Sequence, residues 1–322
     1  MDRRARRIVA TALVALLALL AHLMLGGSYW IAPGGIVSAL FGGGSDAVQT
    51  IVQQIRLPRA LAAMGVGLVL GSAGAAFQAL FRNPLADPYV VGVSSGAAFG
   101  GTLAILLGVG TSLGMMTGSV AGGLATIVLV LSVARGGSRI VVAGVVAASA
   151  LSGLLTVNLV AAGEDSNQVL RWLLGSTTPM DYARCLTAMA AGVVGTALLW
   201  SRSRELNALK TGETGAERVG VAVAATTRGV VVVAGTMVAL AVGAAGIVGF
   251  VGLASPHIAR GLVGHDERHA LPSSACIGAS VMLLADVVAQ RALPFGELPL
   301  GAVTAILGAP MLFALLRGSV PR

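Results

Sequence analysis

His265 and His269 stand four residues apart in the run His265-Asp266-Glu267-Arg268-His269. On a helix that spacing puts two imidazoles on one face, where zinc could bind. The acid after the first histidine is an aspartate, not the glutamate of the metalloprotease pattern, and Gly264 and Pro272 leave little room for such a helix. A solvated turn is the expectation. His22 and His257 are isolated in apolar runs and read as packing or pore residues. Lys210 is the single lysine, and no G-x-x-x-x-G precedes it, so the loop that cradles ATP phosphates is missing. Cys185 and Cys276 lie in or beside apolar runs and make neither a disulfide framework nor a metal set. Ion-coupled carriers place ionisable groups near the bilayer midplane. The spans here carry none in their interiors, and Asp286, near an aqueous end, is explained by pairing with a neighbour. This disfavours a secondary, ion-coupled transporter, and the lack of a nucleophile–base pair disfavours a membrane-embedded enzyme. Uphill transport would have to draw energy from outside the membrane, and no cofactor is implied.

The elements that must position any site are membrane helices. Of 322 residues, 56% are hydrophobic and 11% charged, with a mean hydropathy of +0.89. A soluble domain is about one quarter charged, so the chain is a polytopic membrane protein of the all-α class. Its 45 glycines suit close helix packing in lipid. The net charge of +8 has no interleaved aromatics and does not point to nucleic acid. The charge-free run 8–27 predicts a retained first helix, and 28–55, broken by glycines, an interfacial loop. Further spans are expected at 60–81, at two places within 88–134 divided near 108–118, and at 140–163 and 185–201. An amphipathic surface helix is expected around 169–174. Beyond it, Pro256 is expected to divide 229–259 into one helix ending near Ala254 and a short one ending near Gly264. Spans at 270–290 and 300–316 complete ten helices, one of them short, in a single domain covering 1–322.

The polar interval from Ser201 to Arg228 interrupts this pattern and must lie in water. Glu205 to Leu209 and Gly215 to Val223 suit two short helices, with Gly212 in the turn between them. Apolar Leu206, Leu209, Val219 and Val221 would hold that hairpin against a surface, so a soluble partner is expected there. With the N-terminus inside, only Arg56, Arg59, Arg171, Arg184 and Arg291 of the 21 basic residues face outward. The excess of arginine on the other side places both termini and the hairpin in the cytoplasm.

Several runs resemble the permeases of type II ABC importers for ferric siderophores, haem or vitamin B12. They are RLPRALAA at 56–63, FQALFRNPLADP at 77–88, GVSSGA at 92–97, GFVGLASPHIAR at 249–260 and ELPLGAVTAILGAP at 297–310. The resemblance extends from Arg56 to Arg317. It implies a dimeric ten-helix permease of the bacterial inner membrane, with a second copy of itself, two cytoplasmic ATP-binding subunits and a periplasmic binding protein as partners. Carried over by residue, Arg56 and Arg59, with Arg291, match arginines that receive acidic side chains of the binding protein. Arg291 stands one place beyond the family's usual position, roughly 100° around a helix. Asn83, Leu85, Gly137 and Ser138 match a cytoplasmic gate. Glu205, Leu206, Leu209, Gly212, Glu213, Ala216, Val219, Gly220 and Val221 match the segment that couples to the ATPase.

Overall fold

Among the described residues of the computed structural model, seven helices are long and apolar enough to cross a membrane. The structure describes residues 3–27, 29–134, 136–177, 181–293 and 296–318, with backbone only for 3–5 and 311–318. Arg135 and Arg322 of the basic residues counted above lie outside the described residues. In chain order the α-helices are α1 (Arg3–Leu25), α2 (Pro33–Leu40), α3 (Asp46–Thr50), α4 (Leu57–Phe81), α5 (Val93–Leu106), α6 (Ser112–Val133), α7 (Gly137–Ala161) and α8 (Ser166–Leu173). After these come α9 (Tyr182–Ser201), α10 (Ser203–Leu209), α11 (Glu213–Arg218), α12 (Val223–Ala245), α13 (Val251–Val263), α14 (Glu267–Arg291) and α15 (Leu300–Gly318). Among the described residues there is no strand.

The ten expected helices are α1, α4 to α7, α9, α12 to α15, and the amphipathic piece is α8. Three boundaries differ from expectation. The stretch ahead of α4 is not a loop: α2 and α3 form there, and a π-helical turn, Ile51–Arg56, runs without a break into α4. The division of 229–259 falls at Gly246–Phe250 rather than at Pro256. Gly246 (φ +72°) lies so close to the Trp172 carbonyl that a Cβ would strike it, and Phe250 takes a left-handed conformation at φ +66°. Pro256 instead sits inside α13, where it cannot donate to the Gly252 carbonyl four residues back. The Gln78 amide reaches that carbonyl from α4 at 3.4 Å. Likewise Pro272 frees the Arg268 carbonyl within α14, and the Trp200 indole N–H takes it up at 2.9 Å. The second hairpin helix ends at Arg218, not Val223.

α4 is the hub, packed between α9, α12, α13 and α14. Its small residues allow this: a Cβ on Gly71 would strike the Ser274 carbonyl, and one on Gly278 would strike that of Gly67. The pairs 67/71 and 274/278, each four apart, bring two backbones together as small residues do in lipid. α1 buries the stripe Ala15, Ala18, His22 against α14 and turns Leu13, Leu16 and Leu17 outward.

Candidate functional site

The short hairpin α10–α11 is fastened to one end of the bundle. Leu206 (0% exposed), Leu209 and Ala216 point into the main core. They hold the hairpin to its own chain and cannot also fill a partner's groove, which corrects the reading of Leu206, Leu209 and Ala216 as partner contacts. Val219 is 71% exposed and points away, and Glu213 and Gly220 are exposed with it, while Glu205, Gly212 and Val221 are half-buried. The coupling set therefore has two faces, one seated and one presented.

Polar groups complete the seat. The Lys210 ammonium donates to the His265 carbonyl at 2.5 Å and pairs with Glu267 Oε1 at 2.5 Å. Glu267 is fully buried in the first turn of α14, where the helix dipole favours an acid. Arg260 of α13 reaches the same Oε1 at 3.1 Å and the Gln78 side-chain oxygen of α4 at 2.5 Å. Asn207 donates to Asp266 Oδ1 at 2.7 Å and accepts from the Glu267 N–H at 3.0 Å. Asp266 caps α14 by accepting the Arg268 N–H, and hydrogen bonds from the Arg268 guanidinium hold its carboxyl well below the usual range. Thus α4, α10, α13 and α14 meet in one network around Glu267.

The expected gate residues lie beside it. Asn83, Gly137 and Ser138 line one cavity of about 250 Å³ together with Leu209 and Glu213 of the hairpin. Glu213 Oε1 accepts the Gly137 N–H at 3.3 Å, so the first turn of α7 is tied directly to α11. Asn83 Oδ1 accepts the Leu85 N–H at 2.9 Å and shapes the turn after α4. Leu85 itself is exposed and stands outside that cavity.

The three arginines expected to dock a partner are at the opposite end. Arg56 and Arg59 are 4% and 6% exposed. The Arg59 guanidinium forks onto both oxygens of Asp286, at 2.8 and 3.0 Å, and reaches Glu297 at 2.8 Å. Asp286, fully buried, also receives His22 Nε2 at 2.7 Å, the Thr177 hydroxyl at 2.7 Å and the Gln290 amide at 2.8 Å. Arg56 donates to the carbonyls of Leu23, Met24 and Tyr29, and Arg291 to those of Leu25 and Gly27. Both arginines thereby close the C-terminal end of α1, where a cation suits the dipole. Of the three, Arg291 alone is exposed.

One expectation changes here and one is filled in. His22 is paired rather than isolated, and Asp286, near the end of α14 as expected, has several buried partners rather than a single neighbour. His22, Arg59 and Asp286 each lie within two turns of a helix end, so the cluster is not at the middle of the bundle. Its signal in the sequence was the presence of any ionisable group in an apolar run, which demands a partner.

A bundle of membrane-length helices with a seated hairpin at one end defines a multi-pass membrane protein. A family model described as the FecCD transport family matches residues 13–318, and the chain belongs to that family. It is 40% identical over 98% of its length to the vitamin B12 import system permease protein BtuC of Salmonella typhimurium, covering 95% of that protein. It is 38% identical over 85% of its length to the ABC transporter permease protein YvrB of Bacillus subtilis, covering 80% of it. An inward-facing structure of an ABC transporter assigned to the metal-chelate type superposes with a TM-score of 0.86 at 31% identity, covering 98% of this chain and 100% of that one. The chain is a permease subunit of a type II ABC importer, and not an enzyme.

Proposed function

We propose that this permease imports a metal chelate, with cobalamin the first substrate to test and ferric siderophores and haem the others, in a dimer driven by two separate ATP-binding subunits. The observation that carries the mechanism is the tie from Glu213 to Gly137. It joins the presented hairpin to the turn that opens α7, so a push on the outer face of α11 reaches Asn83, Gly137 and Ser138 without an intermediary. In this reading an ATP-binding subunit contacts Glu213, Val219 and Gly220, and the movement opens or shuts the gate.

α7 would meet the second copy. Its valines Val142, Val146, Val157 and Val160 are among its most exposed side chains, and a matching helix could cover them. The hairpin end would be cytoplasmic, as the distribution of arginine indicates. A binding protein would dock at the far end on Arg291 and Glu297. Arg56 and Arg59 would support that surface from behind, and Arg59 would reach an acidic side chain only once Glu297 yields. The test is uptake into proteoliposomes containing the permease, its ATP-binding subunit and its binding protein, with the three chelates compared. ATP-dependent uptake of one of them is expected. Uptake of none, with ATP hydrolysis intact, would refute the substrate class. A cysteine at Gly212 in a cysteine-free background should label from the cytoplasmic side only.

A further inference from the structure

A second cavity at the hairpin end, about 520 Å³, lies on the other side of Arg82 from the gate. It is lined by Gln78, Arg82, Lys210, His257, Arg260 and His265. Lys210 and Arg260 share one carboxylate, that of Glu267. Arg82, held in a left-handed conformation at φ +52°, closes no ion pair or hydrogen bond through its side chain among the described residues, and neither do the rings of His257 and His265. The cavity thus offers one uncompensated guanidinium and two imidazoles with hydrogen-bonding capacity in reserve.

Its depth narrows the choice of anion. His257 lies six residues before the end of α13, about 9 Å along the helix axis. On α13, Ile258 adjoins His257, and Ala254 lies one turn before it. Ile258 and Ala254 line an apolar cavity of about 250 Å³ with Leu284 and Leu307, both exposed. A basic pocket beside an apolar groove on one helix suits a ligand with a phosphate at one end and hydrocarbon at the other. A protein carboxylate or a free anion would use only the first part.

We infer that Arg82, His257 and His265 form a site for the phosphate headgroup of an anionic phospholipid, with an acyl chain along Ala254 and Ile258. The site goes beyond the import reading and does not depend on it. Each lysine or arginine near an anionic lipid is worth about fivefold in affinity.

The experiment uses the full-length chain in phosphatidylcholine nanodiscs with and without phosphatidylglycerol. Native mass spectrometry should show phosphatidylglycerol retained in preference to phosphatidylcholine, one per chain. The double variant Arg82→Gln/His257→Gln should weaken that retention at least roughly fivefold, the loss of the Arg82 charge alone. In the unaltered chain, a photoactivatable phosphatidylglycerol should crosslink within 251–263, a readout that needs no variant to fold. Equal retention of the two lipids, or crosslinks confined elsewhere, would overturn the proposal. So would inorganic phosphate displacing the lipid at matched concentration, which would define a simple anion site. Unchanged lipid retention in the double variant, with loss of the co-purifying ATP-binding subunit, would assign the cavity to a protein carboxylate instead.

Discussion

α14 carries a fully buried carboxylate near each of its ends, Glu267 and Asp286, 19 positions apart. At about 1.5 Å per residue they are separated by roughly 28 Å, close to the thickness of a bilayer core. Their surroundings differ in kind. Asp286 has both oxygens engaged: Arg59 bonds each of them, and Thr177, His22 and Gln290 add further donors. Glu267 takes Lys210 and Arg260 on Oε1 alone, and its Oε2, though buried, meets no donor among the described residues. His22 Nδ1 in the Asp286 cluster also lacks a partner among the described residues, so the contrast lies in the carboxylates. One bonded through both oxygens is held in place, whereas one bonded through a single oxygen leaves capacity for rearrangement. Asp286 is a rivet joining α1, α4 and α14. Glu267 is a joint, and it lies under the hairpin proposed above to transmit the push of an ATP-binding subunit.

The comparison breaks if the two carboxylates respond alike to removal. Asp286→Leu leaves the Arg59 guanidinium buried without its principal partner, and removing one member of a buried pair costs about 3–5 kcal/mol. Thermal melting of the purified variant should show the largest loss of any substitution discussed here, with α1 detaching from the bundle. Leu206→Asp should follow, at about 3 kcal/mol or more, since it puts a charge into the core beneath the hairpin. Val219→Asp, on the presented face, should change stability by no more than about 0.5 kcal/mol, yet should release the ATP-binding subunit during purification. Equal stability of those two variants would refute the two-faced hairpin. Glu267→Ala should cost less than Asp286→Leu, about 1–3 kcal/mol, because Lys210 is already partly exposed and regains water. Glu267→Gln keeps an acceptor oxygen and should recover part of that loss. Hydrogen exchange should locate the effect in 203–218 and leave α4 protected.

The spans were legible because apolar runs of bilayer length admit few alternatives, and α4, α7 and α9 were placed to within a few residues. The hairpin was legible as polar punctuation. Which of its apolar residues face the core was not, because α10 and α11 span only 7 and 6 residues. That is too short for periodicity to separate Leu206 from Val219. The break at Gly246 was hidden by Pro256, the stronger helix breaker by composition. The structure satisfies Pro256 through Gln78, 178 positions earlier, and no local pattern announces that contact. The Asp286 cluster joins groups 227 and 264 residues apart. Each was visible as an anomaly, but their convergence is a property of the packing of α1 and α14. The docking arginines show the limit of carrying a role over by motif. RLPRALAA lies where the resemblance places it, and its guanidiniums are turned inward by partners outside the motif.

A last and smaller effect concerns a third carboxyl, Asp87, in the link after α4. It accepts the Tyr89 N–H at 2.9 Å, while burial pushes its pKa up to about 6. The Tyr89 hydroxyl donates to the Val248 carbonyl at 2.5 Å and accepts the Val248 N–H at 3.0 Å, which pins the break between α12 and α13. The sign follows from linkage. The folded chain holds this proton more tightly than the unfolded chain, whose aspartate titrates near 4, so between about pH 4 and 6 the folded state binds more protons. Stability from this group is complete below pH 4 and is lost as the pH rises through about 6. A shift of this size corresponds to about 3 kcal/mol at most. The side chain keeps some contact with water, and screening reduces the expected loss to the order of 1 kcal/mol. Unfolding free energies measured from pH 4 to 7 should fall by this amount in the unaltered chain, and Asp87→Asn should flatten the profile across the same window. An unchanged slope in that variant would show that Asp87 ionises without cost, and that the region around the α12–α13 break does not sense pH through it.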